Sequence, residues 1–286
     1  MNHRNASKAP PGNALGGLLR GWRTTRGKSQ IELSLDSGIS QRHVSFIESG
    51  RSCPSRETLI AIAEALDIPL RDRNTLLLAA GFAPIYSEAA WNASEMQSLT
   101  QAIQRVLRQH DPFPAMVMDR YWNVLLTNES APRFFNSFID MAARKGPRNL
   151  LHLMFDPHGM RPFVKDWETV ARSLIQRAYR ESVGRVVDEK TKQLLAHLQA
   201  YPGVDAEWRS PAVSSIAPMP AVMTYSFVWK EKVLNYFSMI TTVGSPTAVA
   251  AQELRIECMF PSDPATESSH AEVMAAARSV GQPIRE

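Results

Sequence analysis

Residues 29–51 read SQIELSLDSGISQRHVSFIESGR, and their punctuation decides the fold of the region around them. Ser29 has a hydroxyl able to cap the free amides of a helical first turn, and Glu32 three residues on completes a capping box. Ile31, Leu33 and Leu35 offer apolar contacts, and Gly38 permits the positive φ on which such a helix ends. Ser40 then caps a second short helix from Gln41 to Ser49, closed by Gly50. Two short capped helices joined through one glycine form a helix-turn-helix pattern. In the second of them Val44 and Ile47, three apart, must face a core. Gln41, Arg42, Ser45 and Phe46 then project on the opposite side, with His43 nearby. Water does not require that mixture. A Gln pairs bidentately with adenine, an Arg with guanine, and an apolar ring rests on a thymine methyl, so the face matches the major-groove edge of double-stranded DNA.

Working outward, a helix is expected over about 15–25, with Leu15, Leu18, Leu19 and Trp22 on one face, and Gly16-Gly17 allowing close packing or marking a ragged start. Pro54-Ser55 opens a fourth helix and Leu70–Ala80 forms a fifth, ended by Gly81. Residues 1–85 hold 11 Lys+Arg against 7 Asp+Glu, whereas 86–286 hold 21 against 21. The excess of +4 therefore sits wholly in the first third, as expected when that part alone meets a polyanion.

The 286-residue length suits two domains, expected at 14–85 and 95–262 with tails at 1–13 and 263–286. Helical periodicity breaks across GFAPIYSEAAWNASE (81–95) and resumes to about His110. Strand-like runs follow at 114–119 and 122–127 around a turn at Asp119-Arg120-Tyr121, helical signals at 131–143, 162–182 and 188–201, and strand-like runs at 221–229, 233–243 and 252–260. This order predicts an α+β domain with helices covering one face of an antiparallel sheet. Apolar side chains of its strands and helices are candidates for a cavity wall: Met116, Met118, Trp122, Val124 and Leu126 early, Phe134, Phe155 and Trp167 in the helical part, and Tyr225, Phe227, Phe237 and Met239 late. For each one, plain core is the competing reading. Arg120, Tyr121, Asn128 or Arg161 could hold the carboxylate of a ligand.

Other chemistries find little support. The run of ~18 apolar residues that a membrane span needs is missing, as is the apolar core of a secretion signal. Cys53 and Cys258 are far apart and fit free thiols in a cytoplasmic protein. His152, Asp156 and His158 lack a metal-ligand spacing, none of His110, His152 and His197 carries a haem-attachment motif, and neither a G-x-S-x-G elbow nor a glycine-rich phosphate loop occurs. Neither an enzyme nor a metal site is expected.

The first third resembles the Xre-type, phage-repressor-like helix-turn-helix family through Arg23, Ser29-Gln30, Gly38-Ile39-Ser40, Val44, Ile47-Glu48, Gly50, Pro54 and Ala63–Leu66. The resemblance implies an all-α five-helix domain, an Arg23–Glu48 pair, Gln30 on DNA phosphate, Gln41 and Arg42 on bases, and Ser49 and Arg51 on the backbone. Phe46 departs from the family, which often has Lys, Arg or Gln there; a Phe at this place either contacts a thymine methyl, the favoured reading, or folds back onto the core. The remainder resembles a PAS domain, a five-stranded antiparallel sheet, and more closely the ligand-binding domain of MmyB-like regulators. That likeness lies in AMVMDRYWNVLLTNESAPRFF, NLLHLMFDP, VKDWETVARSLI and YSFVWKEKVLNYFSMITTVGSP. It implies a transcription regulator, expected to act as a homodimer on a DNA operator, with a small apolar, fatty-acid-like ligand and no other cofactor. In the competing reading the second domain is a dimerisation or partner-docking module without a ligand.

Overall fold

The computed structural model describes residues 11–183, 188–209 and 222–280. The chain divides into two compact units, one within 1–89 joined by 246–252, the other spanning 90–245 and 253–286. The first is helical: α1 (Pro11–Thr25), α2 (Gln30–Ser37), α3 (Gln41–Glu48), α4 (Arg56–Ala65) and α5 (Leu70–Ala79). Its core gathers Leu19, Trp22, Leu33, Val44, Ile47 and Leu59, each at most 4% exposed. Leu33 is the one α2 apolar residue that turns inward. Ile31 and Leu35 are 61% and 78% exposed, because positions two apart on a helix point about 200° from each other.

Gly16 is where α1 crosses the end of α3. A β-carbon there would stand 2.4 Å from the Glu48 carbonyl oxygen, whereas one on Gly17 meets nothing within 4 Å. The first glycine is therefore steric and the second dispensable. Gly16→Ala is expected to destabilise this unit by about 1–3 kcal/mol through overpacking. Gly17→Ala should stabilise it by about 0.5–1 kcal/mol through helix propensity. Paired denaturant melts check this, and an equal response of the two variants would remove the close-approach argument.

The break in periodicity after α5 is not a free linker. Buried Asn74 donates Nδ2 to the Tyr86 carbonyl at 2.8 Å and accepts from the amides of Ile85 and Tyr86, holding that strand of chain as a sheet neighbour would. Pro69 precedes α5 without a side-chain cap, and Gln252 Oε1 accepts from the Leu70 amide at 2.7 Å instead. Gln252 therefore caps a helix 182 residues away, within a short helix, α11 (Val249–Glu253), rather than opening the last strand.

In the second unit α6 (Gln97–Gln109) is followed by β1 (Ala115–Met118) and β2 (Val124–Thr127). Then come α7 (Ser130–Asn136), α8 (Leu150–Phe155), α9 (Trp167–Val183) and α10 (Glu189–Gln199). The chain closes with β3 (Met223–Trp229), β4 (Lys232–Thr242), β5 (Arg255–Pro261) and α12 (Pro264–Val280). The strands form one five-stranded antiparallel sheet, as two strands, several helices and three strands imply, in the order β2-β1-β5-β4-β3. Three elements differ from expectation. NLLHLMFDP contains a helix, capped by the Asn149 side chain on the His152 amide. The tail, expected as a loose end or a short helix over 270–278, forms the longer α12, whose Val273 and Met274 enter the core. Both faces of the sheet are covered, not one: Ile103 and Leu107 of α6 pack on Ala115, Val117 and Ile256, behind the main core.

Candidate nucleic-acid interface and ligand cavity

The exposed side of α3 is built on a buried ion pair. Arg23 on α1 donates Nε to Glu48 Oε1 at 2.6 Å and Nη2 to Oε2 at 3.0 Å, while its Nη1 donates to the Lys28 carbonyl at 2.8 Å. Burial pushes the Glu48 carboxyl up, but the hydrogen bonds from Arg23 and Gln30 and the Arg23 charge outweigh it and hold the group below the usual carboxylate range. These bonds tie α1, α2 and α3 together at one point.

Ser29 forms the capping box with Glu32, Gly38 takes φ 71°, and Ser40 Oγ accepts from the His43 amide, so the turn adopts the geometry its residues dictate. Val44 and Ile47 are each 1% exposed, and Gln41 and Arg42 on the other side are exposed. His43 and Ser45 are half-buried beside them, and Ser49 and Arg51 are exposed just past the helix. Phe46 is half-buried and lies outside the apolar core of the unit. Its ring carries the Arg42 guanidinium at 5.3 Å and that of Arg51 at 6.0 Å, so it braces two cations by cation–π contact. Gln30 sits differently from expectation: its side-chain amide donates to Glu48 Oε2 at 2.9 Å, directed inward to the ion pair.

In the second unit a cavity of ≈ 350 Å³ opens beside β1, β2, α7 and α8, with Met116, Val124, Phe135, Leu150, Leu153 and Arg144 among its walls. Of the twelve side chains expected there, Met116 and Val124 line it. Met118, Trp122, Phe134, Phe155, Tyr225 and Phe227 are buried in the apolar core, with Trp167 packed against it. Leu126, Phe237 and Met239 are corrections, because they lie on the other face of the sheet. Leu126 pairs with Val117 over α6, Phe237 stacks on Phe260 at 5.1 Å, and Met239 is 50% exposed. Strand alternation explains it: Leu234, Tyr236 and Ser238 point inward, so their odd-numbered neighbours cannot.

The four candidate carboxylate donors are engaged elsewhere and absent from the cavity wall. Arg120 pairs with Asp188 and Glu253, and the Tyr121 hydroxyl donates to Asp188. Asn128 bridges the Ala115 amide and the Phe113 carbonyl, and Arg161 lies 3.6 Å from the Trp167 ring centroid. Two cations line the cavity and neither was expected there: Arg148, which is exposed, and Arg144. Its side chain is 8% exposed, Nη1 donates to the Pro147 carbonyl, Nη2 donates to Asp156 at 3.4 Å, and Nε has no hydrogen-bond partner. The guanidinium lies against Gly146, where a β-carbon would come within 2.4 Å of it.

His152 bonds the Tyr201 hydroxyl, its pKa pushed down by burial, and His158 is exposed. Among the described residues no group of three potential ligands converges on a metal position. Among the same residues no helix is long and apolar enough to cross a membrane.

Residues 99–272 match the family model described as MmyB-like transcription regulator ligand binding domain, and residues 19–72 match that described as Helix-turn-helix. Proteins named transcriptional regulator ClgR from two strains of Mycobacterium tuberculosis, CDC 1551 / Oshkosh and ATCC 25618 / H37Rv, are each 43% identical over 56 residues. The matched region is 20% of this chain, and the chain spans about half the length (50%) of these curated relatives. A braced, exposed helix face within the matched helix-turn-helix region and a cavity inside the matched second region agree on one conclusion: the chain belongs to the MmyB-like transcription regulator ligand binding domain family and is a DNA-binding transcription regulator.

Proposed function

We propose that this regulator is a cytoplasmic homodimer that reads a DNA operator with α3, and that a small apolar, fatty-acid-like molecule in the PAS-like second unit sets the affinity. The observation that carries the DNA half is the exposed Gln41–Arg42 pair with Phe46 holding Arg42 and Arg51 in place. A guanidinium held over a ring loses less side-chain entropy on docking than a free one. Gln41 and Arg42 read bases, with Phe46 at a thymine methyl; Ser40, His43, Ser45, Ser49 and Arg51 surround them toward the phosphates. Gln30 acts through the ion pair it buttresses. The ligand half is supported by the ≈ 350 Å³ cavity and by Arg144, whose unpartnered Nε suits an acidic head group. A ligand shifts DNA affinity only insofar as it binds two arrangements of the dimer unequally.

The experiment is selection of a preferred site from random DNA, followed by titrations with and without dodecanoic acid. Gln41→Ala or Arg42→Ala is expected to cost about 1–3 kcal/mol and to relax preference at one base position. Arg51→Ala should weaken binding to every sequence and reduce the salt slope by about one. Uniform losses in all three variants would remove the assignment of base readers. An unchanged operator affinity with the acid bound would leave the second unit a dimerisation module.

A further inference from the structure

Behind the cavity wall lies a polar group that the apolar reading does not use. Met116, Phe135 and Leu150 line the ≈ 350 Å³ cavity on one side and a void of ≈ 20 Å³ on the other. The inner void is otherwise bounded by apolar side chains such as Leu174, Phe227 and Met259, and by Tyr225 and Glu257. Glu257 stands on the face of β5 that meets the main core and is 2% exposed. Its Oε1 accepts from the Tyr225 hydroxyl at 3.3 Å, and its Oε2 has no hydrogen-bond partner. Ser238 Oγ is also buried and unpartnered, close enough to both groups to influence their ionisation but aligned with neither. Arg177, the cation whose charge reaches the carboxyl, is itself paired with Glu181 at 3.0 Å. Burial pushes the Glu257 carboxyl up from its usual range, so a neutral acid is the form that suits this position.

A buried carboxyl oxygen without a partner costs stability, and a fold that only needed to fill space would put leucine there. The three shared side chains are a methionine, a phenylalanine and a leucine, each able to change rotamer without moving the backbone. A void that holds about 10–15 Å³ of water-sized probe admits one small polar group.

We propose that Glu257, with the Tyr225 hydroxyl and Ser238 Oγ beside it, is a subsite that selects an apolar effector carrying a hydroxyl on the end that enters the sheet face. This rests on the cavity being an apolar-ligand site. The chain of the effector occupies the cavity, its inner end passes between Met116, Phe135 and Leu150, and its hydroxyl accepts from the protonated Oε2 of Glu257. An effector ending in a methyl group leaves that O–H unpaired, and a site that buries an unpaired polar group rejects such an analogue strongly.

The test is calorimetric titration of the full chain with decanoic, dodecanoic and tetradecanoic acids, each beside its ω-hydroxy counterpart. The shared carboxylate cancels any contribution from Arg144. In the native protein the hydroxylated member of the best-fitting pair is expected to bind about tenfold tighter. In Glu257→Leu the ratio should fall to about one while the unhydroxylated acid retains its affinity. Glu257→Met, which keeps the unbranched shape, reads the same ratio if the leucine variant does not fold. Equal affinities in the native protein overturn the subsite and leave the carboxyl to a buried water. A preference that persists in both variants overturns the assignment to Glu257. Failure of every acid to bind overturns the cavity reading and the subsite with it.

Discussion

Glu48→Ala is expected to lower the stability of the helix-turn-helix unit by about 3 kcal/mol, at the lower end of the range for removing one partner of a buried ion pair. The lower end applies because Arg23 keeps 15% of its side chain in contact with water, whereas Glu48 keeps 1%. The substitution strips the partner from both Arg23 nitrogens and from the Gln30 amide. Amide exchange in α1 to α3 should then accelerate by about two orders of magnitude, since 1.4 kcal/mol is about tenfold. DNA affinity falls as a consequence, although Glu48 itself does not face DNA. Acid separates the native chain from Glu48→Gln. Because the folded carboxyl is held below its ordinary range, its stabilisation is present above the ordinary carboxylate pKa and disappears as pH falls through the folded value. The glutamine variant should lack that decline. Loss of under about 1 kcal/mol in Glu48→Ala would show that the pair orients the helices without holding them.

Phe134→Ala should cost the second unit about 3–5 kcal/mol. The ring is 0% exposed and stands within 5.1–5.9 Å of the rings of Phe135, Phe138, Phe227, Tyr236 and His270, where truncation leaves a cavity that five neighbours cannot jointly fill. Met239→Ala, on the far face of β4 and 50% exposed, should stay within about 0.5 kcal/mol. Phe237→Ala should lie between them at about 0.5–1.5 kcal/mol, through its stack on Phe260. Thermal and urea melts of the three variants test the assignment of sheet faces directly. Comparable losses in Phe134→Ala and Met239→Ala would mean that both sides of β4 are core and would contradict the register.

The helices α1 to α5 of the first unit were legible, although α1 starts at Pro11 and not near Leu15, and the reason is local. Caps at Ser29, Ser40 and Ser55 and the glycine at position 38 act within three or four residues of themselves, and the structure uses each of them as read. The exposed face of α3 followed from Val44 and Ile47 alone. By contrast, α2 was read too generously, because an apolar residue at every second position looks like content unless helical rotation is applied to it.

In the second unit the five strands were visible in composition, but their faces were not. YSFVWKEKVLNYFSMITT is apolar on both sides of the pleat, since Tyr236 meets the helices and Phe237 meets Phe260, so alternation in the sequence carries no sign. The cavity depends on how α7, α8 and the 140–149 stretch stand against β1 and β2, which is set by contacts distant in the chain. Arg144 is buried there because Gly146 leaves room and Asp156 pairs with it, and neither fact follows from its being an arginine in a loop. Gln252 capping α5 and Glu257 facing an apolar void are of the same kind. The sequence by itself determined the five strands, the helix-turn-helix and the face of α3, because those are short-range matters of dihedral preference and capping. Only the tertiary structure decided which side of each strand is inward, which cation meets the cavity and which carboxyl is left without a partner. Burial and pairing are properties of neighbours that the chain brings together from far apart.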